Sequence, residues 1–352
     1  MSHFWSPGID RLSPYVPGEQ PKVADLIKLN TNESPDAPSP KVIEAIKAAA
    51  GEGLRRYPDP SSAALTEALA KYHGVERDQV FVGNGSDEVL AHAFYAFFRQ
   101  SHPLLYPDIS YSFYPVYAGL YDIQVRALPL DRHFAIDPDD YVGESGGVII
   151  ANPNAPTGRL LPIEAIERIA EQNKHCAVVV DEAYIDFGGQ SALALLHQFD
   201  NVLVVRTFSK SRSLAGMRVG YAVGSPALID GLVRVKDSFN SYPLDTVAQA
   251  AALASVNDDA YFVESCQRLV GNRDRLVEQL TALGFECIPS AANFVFARHP
   301  EHAAESLAAQ LREKKILVRH FRAERISEHL RISIGSATEC STLVAVLQEM
   351  LS

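Results

Sequence analysis

Cysteine is scarce in this chain: four in 352 residues, at positions 176, 266, 287 and 340, with no CxxC pair. That excludes a disulfide framework and a cysteine-based zinc site, and no other metal-ligand set is read. Cys176, Cys266, Cys287 and Cys340 are read instead as reduced, buried thiols. Long hydrophobic runs are also missing. None approaches the roughly 20 apolar residues of a membrane-spanning helix. The N-terminal stretch MSHFWSPGIDR has no basic segment followed by an apolar one, so the expectation is a soluble, cytoplasmic protein. Positive charge is in deficit, with 32 Lys and Arg against 43 Asp and Glu and a net charge of −11. This argues against nonspecific binding to nucleic acid or anionic membranes. An anionic small molecule would need locally placed arginines. No repeat or low-complexity tract is found.

What is present is an alternation of short, continuous apolar runs with amphipathic stretches. Runs at 80–82, 104–106, 148–150, 177–180, 202–205 and 219–223 read as strands. Helical patterns fall at 41–50, 62–72, 86–98 and 163–172. Strands that are apolar throughout belong to a sheet covered on both faces. The expected fold class is therefore α/β, with a large domain built on a mainly parallel sheet and helices on both faces. Past about residue 245 long helices (247–255, 258–283, 303–315) surround short strands at 293–297, 316–319 and 330–334, which reads as a smaller α+β domain. The predicted division is an N-terminal arm at 1–40 that packs on the small domain and a dimer partner, a large ligand-binding domain at 41–245 and a small domain at 246–352.

Polar residues cluster just after the strands, where open α/β sheets bind ligands. Residues 207–220 read TFSKSRSLAGMRVG and carry Lys210 beyond an apolar run, with Ser209 before it and Arg218 eight residues on. Such a lysine suits attachment of an aldehyde: the amine attacks a carbonyl only when neutral, and partial burial beside other cations favours that form. Asp181 ends the run AVVVD, where a carboxylate is costly to bury unless it is paired or caps the next helix. GNGSDE, at 83–88, joins a strand to a helix N-terminus and suits an anion, although Asp87 could equally serve as a helix cap.

The Lys210 loop and the Asp181 strand resemble the signatures of the aspartate-aminotransferase superfamily, the fold type I pyridoxal-phosphate enzymes. The resemblance implies a Schiff base between Lys210 and pyridoxal 5′-phosphate, Asp181 on the pyridine nitrogen and Tyr184 on the phenolic oxygen. It implies a phosphate cup made of Gly85, Ser86, Asp87, Ser209 and Arg218, with the Asp87 carboxylate turned away. Tyr111 would stack on the ring. Tyr57, in RRYPDP, would reach the neighbouring subunit's cofactor phosphate and make a homodimer with composite sites. One departure stands out: NPNAPTG at 152–158 has Ala155 where the family carries an asparagine that donates to the phenolic oxygen. A lost donor predicts a higher pKa of the lysine–cofactor linkage than in relatives that keep it, with Asn154 or a water as the substitute.

Arg331 in HLRISIG matches the family's carboxylate-gripping arginine. With Arg319 in ILVRHF, Tyr15 in SPYVPGE and Asn32 in KLNTNESP, it is similar to the histidinol-phosphate aminotransferase branch. These four residues would bind substrate. The branch implies ping-pong transfer between L-histidinol phosphate and 2-oxoglutarate, giving imidazole-acetol phosphate and glutamate in histidine biosynthesis. Lys210 would be the base at substrate Cα. An aromatic amino-acid aminotransferase and a phosphothreonine decarboxylase fit the same pattern. A cofactor-sensing module for a DNA-binding partner does not, since the chain is acidic and shows no helix-turn-helix region.

Overall fold

The computed structural model describes residues 3–352. After a single 3-10 turn at Ile9–Arg11, the first strand is the three-residue β1 (Ile27–Leu29), inside the segment expected to be an arm. Helix α1 (Pro40–Ala49) starts where Ser39 caps it, its hydroxyl accepting from the Val42 amide, with Pro40 at the first helical position. Helix α2 (Ala63–His73) ends at Gly74, whose φ of +67° suits glycine at this turn. Strand β2 (Val80–Gly83) leads directly into α3 (Gly85–Phe97). β3 (Leu104–Pro107), α4 (Tyr114–Leu120), β4 (Val125–Leu128), β5 (Gly147–Ala151) and α5 (Ile163–Gln172) follow. Then come β6 (Val178–Asp181), β7 (Val202–Thr207), β8 (Gly220–Gly224) and α6 (Pro226–Phe239).

These strands form a seven-stranded sheet in the order β2-β8-β7-β6-β5-β3-β4. Every neighbouring pair is parallel except those made by β8, which is antiparallel to both β2 and β7. The apolar runs serve both faces by simple alternation. Val179, Leu203 and Val205 pack with Phe94, Leu90 and Leu232, while Val178, Val180, Val202 and Val204 pack with Ile166 and Ile169. β4 was not evident as an apolar run because it is the sheet edge and its residues Val125, Arg126 and Ala127 are exposed.

The remaining chain supplies α7 (Thr246–Val256), α8 (Asp259–Ala282), β9 (Glu286–Ile288), β10 (Phe294–Arg298), α9 (Ala304–Glu313), β11 (Ile316–His320), β12 (Leu330–Ser333) and α10 (Ala337–Leu351). The second sheet runs β1-β11-β12-β10-β9, with β1 parallel to β11 and the rest antiparallel. Leu269 and Leu276 of α8, Leu307 and Leu311 of α9, and Leu343 and Leu347 of α10 build its core. Two segments bear on the predicted division. β1 makes part of the arm an edge strand of this sheet. And α7, expected in the small domain, packs its Ala248, Ala251, Ala252 and Val256 against Val42, Leu65 and Leu69 beside the large sheet. Its small apolar residues allow that close approach to α1 and α2.

Candidate active site

One edge of the large sheet collects Gly85, Ser86, Asp87, Asp181, Ser209, Lys210 and Arg218. β2, β3, β5, β6 and β7 all end there. β8 runs the other way, so its start lies at the same edge, and Arg218 just before it comes back beside Ser209. An out-and-back excursion between two paired strands thus explains why a lysine and an arginine eight residues apart share one site.

Asp181 is 5 % exposed. Its Oδ2 accepts from the Tyr114 hydroxyl at 2.9 Å, while its Oδ1 is buried with no partner. Burial pushes its carboxyl up to about 6, against the pull of the Tyr114 hydrogen bond. A donor aimed at Oδ1 would satisfy the orphaned oxygen, and a protonated ring nitrogen is such a donor. Tyr114 belongs to the aromatic run YSFYPVY at 111–117, most of which packs in the core. Its spacing of three from Tyr111 was the available signal.

Around the start of α3 the packing admits no side chain. Gly85 has φ +80°, and a Cβ there would stand 2.6 Å from Arg218 Nη2. A Cβ on Gly220 would stand 2.2 Å from the Ser86 amide nitrogen. The helix N-terminus, the Arg218 guanidinium and the Ser209 hydroxyl thus crowd together, with Arg218 Nη1 donating to Ser209 Oγ at 3.3 Å. This is a cradle for an anion. Gly220→Ala is expected to push Ser86 outward, costing about 1–3 kcal/mol of stability and most of the affinity for a phosphorylated ligand. Thermal melting and equilibrium binding of the cofactor read the two effects separately.

The Asp87 carboxylate is engaged on both oxygens: it accepts from Arg218 Nη2 at 3.0 Å and from the Tyr111 hydroxyl at 2.9 Å. A carboxylate next to a guanidinium gains more from that ion pair than from solvent. Asp87 therefore braces the arginine and the tyrosine, and its backbone nitrogen is what remains for the cup. Burial, and then the Asp87 charge, raise the Tyr111 phenol far above its usual range, so it stays a donor.

The Asn154 amide hydrogens go to the Ile109 carbonyl (2.9 Å) and Thr157 Oγ1 (3.1 Å), and its oxygen accepts from Ser110. Both N–H groups are thus engaged in shaping the turn beside Ala155. Ala155 itself packs with Ala292, Phe294 and Tyr184.

Lys210 donates to the Thr31 carbonyl at 3.2 Å and lies 5.8 Å from the centre of the Tyr184 ring. The Tyr184 hydroxyl accepts from Asn32 Nδ2 at 3.0 Å, and Asn32 Oδ1 accepts from Ser333. Asn32, expected on the substrate, is 1 % exposed and sits behind Tyr184, tying it to the second sheet.

Arg319 and Arg331 are direct cross-strand partners on β11 and β12. Arg331 lies between the rings of Phe294 (5.4 Å) and Phe321 (5.5 Å), and Arg319 also lies over Phe321 (5.6 Å). Arg331 Nη2 donates to the Asn30 carbonyl at 2.9 Å, but its Nε is buried without a partner. Burial lowers the Arg331 pKa, Tyr184 opposes that, and Arg319 adds to it. Tyr15, close enough to Arg331 to act on its charge, stacks on Phe113 at 4.7 Å. Tyr57 is not brought into this cluster. It is 83 % exposed and stacks on Tyr242. Among the described residues no group of three or more His, Cys, Asp or Glu converges as a metal site, and no helix is long and apolar enough to cross a membrane.

Comparison with known proteins agrees with this geometry. Residues 24–347 match the family model described as aminotransferase class I and II. Histidinol-phosphate aminotransferase 1 of Hydrogenovibrio crunogenus is 59 % identical over 351 residues, covering 100 % of this chain and 99 % of the relative. Its namesake from Bordetella parapertussis is 59 % identical over 355 residues, covering 100 % of both chains. The crystal structure of histidinol-phosphate aminotransferase from Sinorhizobium meliloti in complex with pyridoxal-5′-phosphate superposes with a TM-score of 0.89 at 26 % identity, covering 100 % of this chain and 98 % of that one. A sheet edge that gathers Lys210, Asp181 and Arg218, matched over its whole length by such relatives, is that of a chain belonging to the class I and II aminotransferases and, within them, to the histidinol-phosphate aminotransferase family.

Proposed function

We propose that the chain is a pyridoxal-phosphate-dependent transaminase that moves an amino group between L-histidinol phosphate and 2-oxoglutarate, yielding imidazole-acetol phosphate and L-glutamate, in histidine biosynthesis. The bound cofactor supplies an electron sink for the charge left at the substrate's Cα. Lys210 carries the cofactor between turnovers and, once displaced by substrate amine, moves the proton at Cα. Asp181 Oδ1 accepts from the ring N–H. Arg218, Ser209, Ser86 and the backbone of Gly85 and Asp87 hold the phosphate. Tyr111 lies against the ring, and Tyr184 donates to the phenolic oxygen. Tyr57, exposed and stacked on Tyr242, is available to a second copy, which supports a homodimer with composite sites; the setting we propose is the cytoplasm.

The substrate rests on one observation, the facing pair Arg319 and Arg331. Like charges directly opposite on neighbouring strands repel. Neither arginine forms an ion pair with a carboxylate among the described residues, and Arg331 Nε has no partner at all. A phosphate ester, with three acceptor oxygens and about −1.5 to −2 charge, relieves the repulsion better than a single carboxylate does. Glutamate in the other half-reaction brings a singly charged α-carboxylate to Arg331, with its second carboxylate at the far end of the side chain. Arg319→Met is therefore expected to lower kcat/KM for histidinol phosphate about 10- to 100-fold, the worth of one charge-assisted hydrogen bond, and that for glutamate much less. Steady-state comparison of the two substrates tests this. Equal losses would refute the phosphate assignment, and a parent enzyme that prefers phenylalanine would favour the aromatic aminotransferase.

A further inference from the structure

We propose that Arg206 is a positioning residue, whose buried guanidinium locks the strand end carrying Asp181 and Tyr184 to the loop carrying Lys210. The inference rests on the roles given above to those three residues. Side chains alternate along a strand, so Glu182 and Arg206 lie on the face of the sheet opposite Asp181. There Arg206 Nε donates to Glu182 Oε2 at 3.1 Å, Nη2 approaches the same oxygen at 3.0 Å, and Nη1 donates to Asp186 Oδ1 at 3.1 Å. Asp186 Oδ2 accepts from the Ser211 hydroxyl at 2.6 Å. Glu182 takes two more donors, Ser191 Oγ and the Ala192 amide, each at 2.6 Å. Tyr221 of β8 adjoins the same guanidinium and pairs with His73 at 2.9 Å.

The order along the chain carries the point. Glu182 and Asp186 bracket Tyr184, and Glu182 directly follows Asp181. Arg206 and Ser211 bracket Lys210. One planar fork therefore sets two loops against each other, and lysine could not reproduce it. A buried ion-pair network is no better for stability than a well-packed apolar cluster of the same volume. What it adds is a fixed geometry with discrete partners. The proton-moving amine and the ring-holding carboxylate need that geometry, because a displacement of about 1 Å costs roughly 100-fold in rate.

The test uses the full-length holoenzyme. Ser211→Ala removes only the hydroxyl on Asp186, and Arg206→Lys removes the fork. For each, kcat, KM for 2-oxoglutarate, the pH titration of the visible band of the lysine-linked cofactor, and the melting temperature are measured. Ser211→Ala is expected to lower kcat about tenfold and move the titration midpoint, with KM changed less than about twofold, and Arg206→Lys to lower kcat about 100-fold. Ser211→Thr, which keeps a hydroxyl, restores both readings. If Arg206→Lys does not fold, the serine pair decides alone. A lower melting temperature with kcat and titration midpoint as in the parent would reduce the network to a structural brace and overturn the proposal. Lys210→Ala separates the two readings: a visible band that still titrates with pH as in the parent sinks the site assignment itself, whereas an unmoved Ser211→Ala sinks only the role of Arg206.

Discussion

Replacing Lys210 with alanine is expected to abolish the pH-titrating visible band of the lysine-linked cofactor and to lower turnover by about 10⁴-fold. Two contributions are lost together. The amine is the attachment point, and it is also the group that moves a proton at the reacting carbon. Its surroundings suit both tasks. Lys210 reaches the Thr31 carbonyl and the Tyr184 ring, so it lies at the junction of the two sheets and the sheet edge. Arg218, which would hold the phosphate, is fixed independently by Ser209, Asp87 and the Ala215 carbonyl. The variant should therefore still bind the cofactor without a covalent bond, and dialysis should strip it. Full turnover in Lys210→Ala would end the transaminase assignment.

Asp181→Asn lowers kcat by roughly 10²–10³-fold, the usual loss when a preorganised electrostatic partner is neutralised. The same change has the opposite effect on the cofactor-free protein. Burial raises the Asp181 carboxyl from 3.8 to about 6 in the folded state. A raised carboxyl binds more protons folded than unfolded between those values, so stability falls as pH rises from about 4 through 6. Above pH 6 the unpaired charge costs on the order of 3 kcal/mol. Cofactor-free Asp181→Asn should thus melt higher than the parent at pH 7.5, with the gap closing toward pH 4. Cofactor affinity of the parent should strengthen as pH rises through 6, where the carboxylate that meets the ring N–H forms. Identical melting curves across this range would show that Asp181 does not carry a buried charge.

How much was legible follows from what each residue touches. Lys210, Asp181 and Arg218 stood out because each ends or follows an apolar run, and a charge in that position needs a partner. Arg206 was open to the same logic as the single charge inside VLVVRT, but its partners Glu182 and Asp186 come from another strand end. Asp87 and Asn154 have side-chain partners that their types alone do not reveal, for one shared reason. Their types suit a phosphate cup and a phenolic oxygen, but their hydrogen bonds are spent on Arg218, Tyr111, Ile109 and Thr157. Tyr114 was hidden in an aromatic run that also fills the core.

By itself the amino-acid sequence determined the alternation of fully apolar strands and amphipathic helices, and with it a covered parallel sheet whose polar strand ends form a site. Those are local properties, set by side-chain period and by the cost of burying charge. Only the tertiary structure decided the reversal of β8 that returns Arg218 to Ser209, the pairing of Arg319 with Arg331 across two strands, and the buried fork of Arg206. Each depends on which distant segments share a sheet, and so on long-range packing that no local pattern encodes.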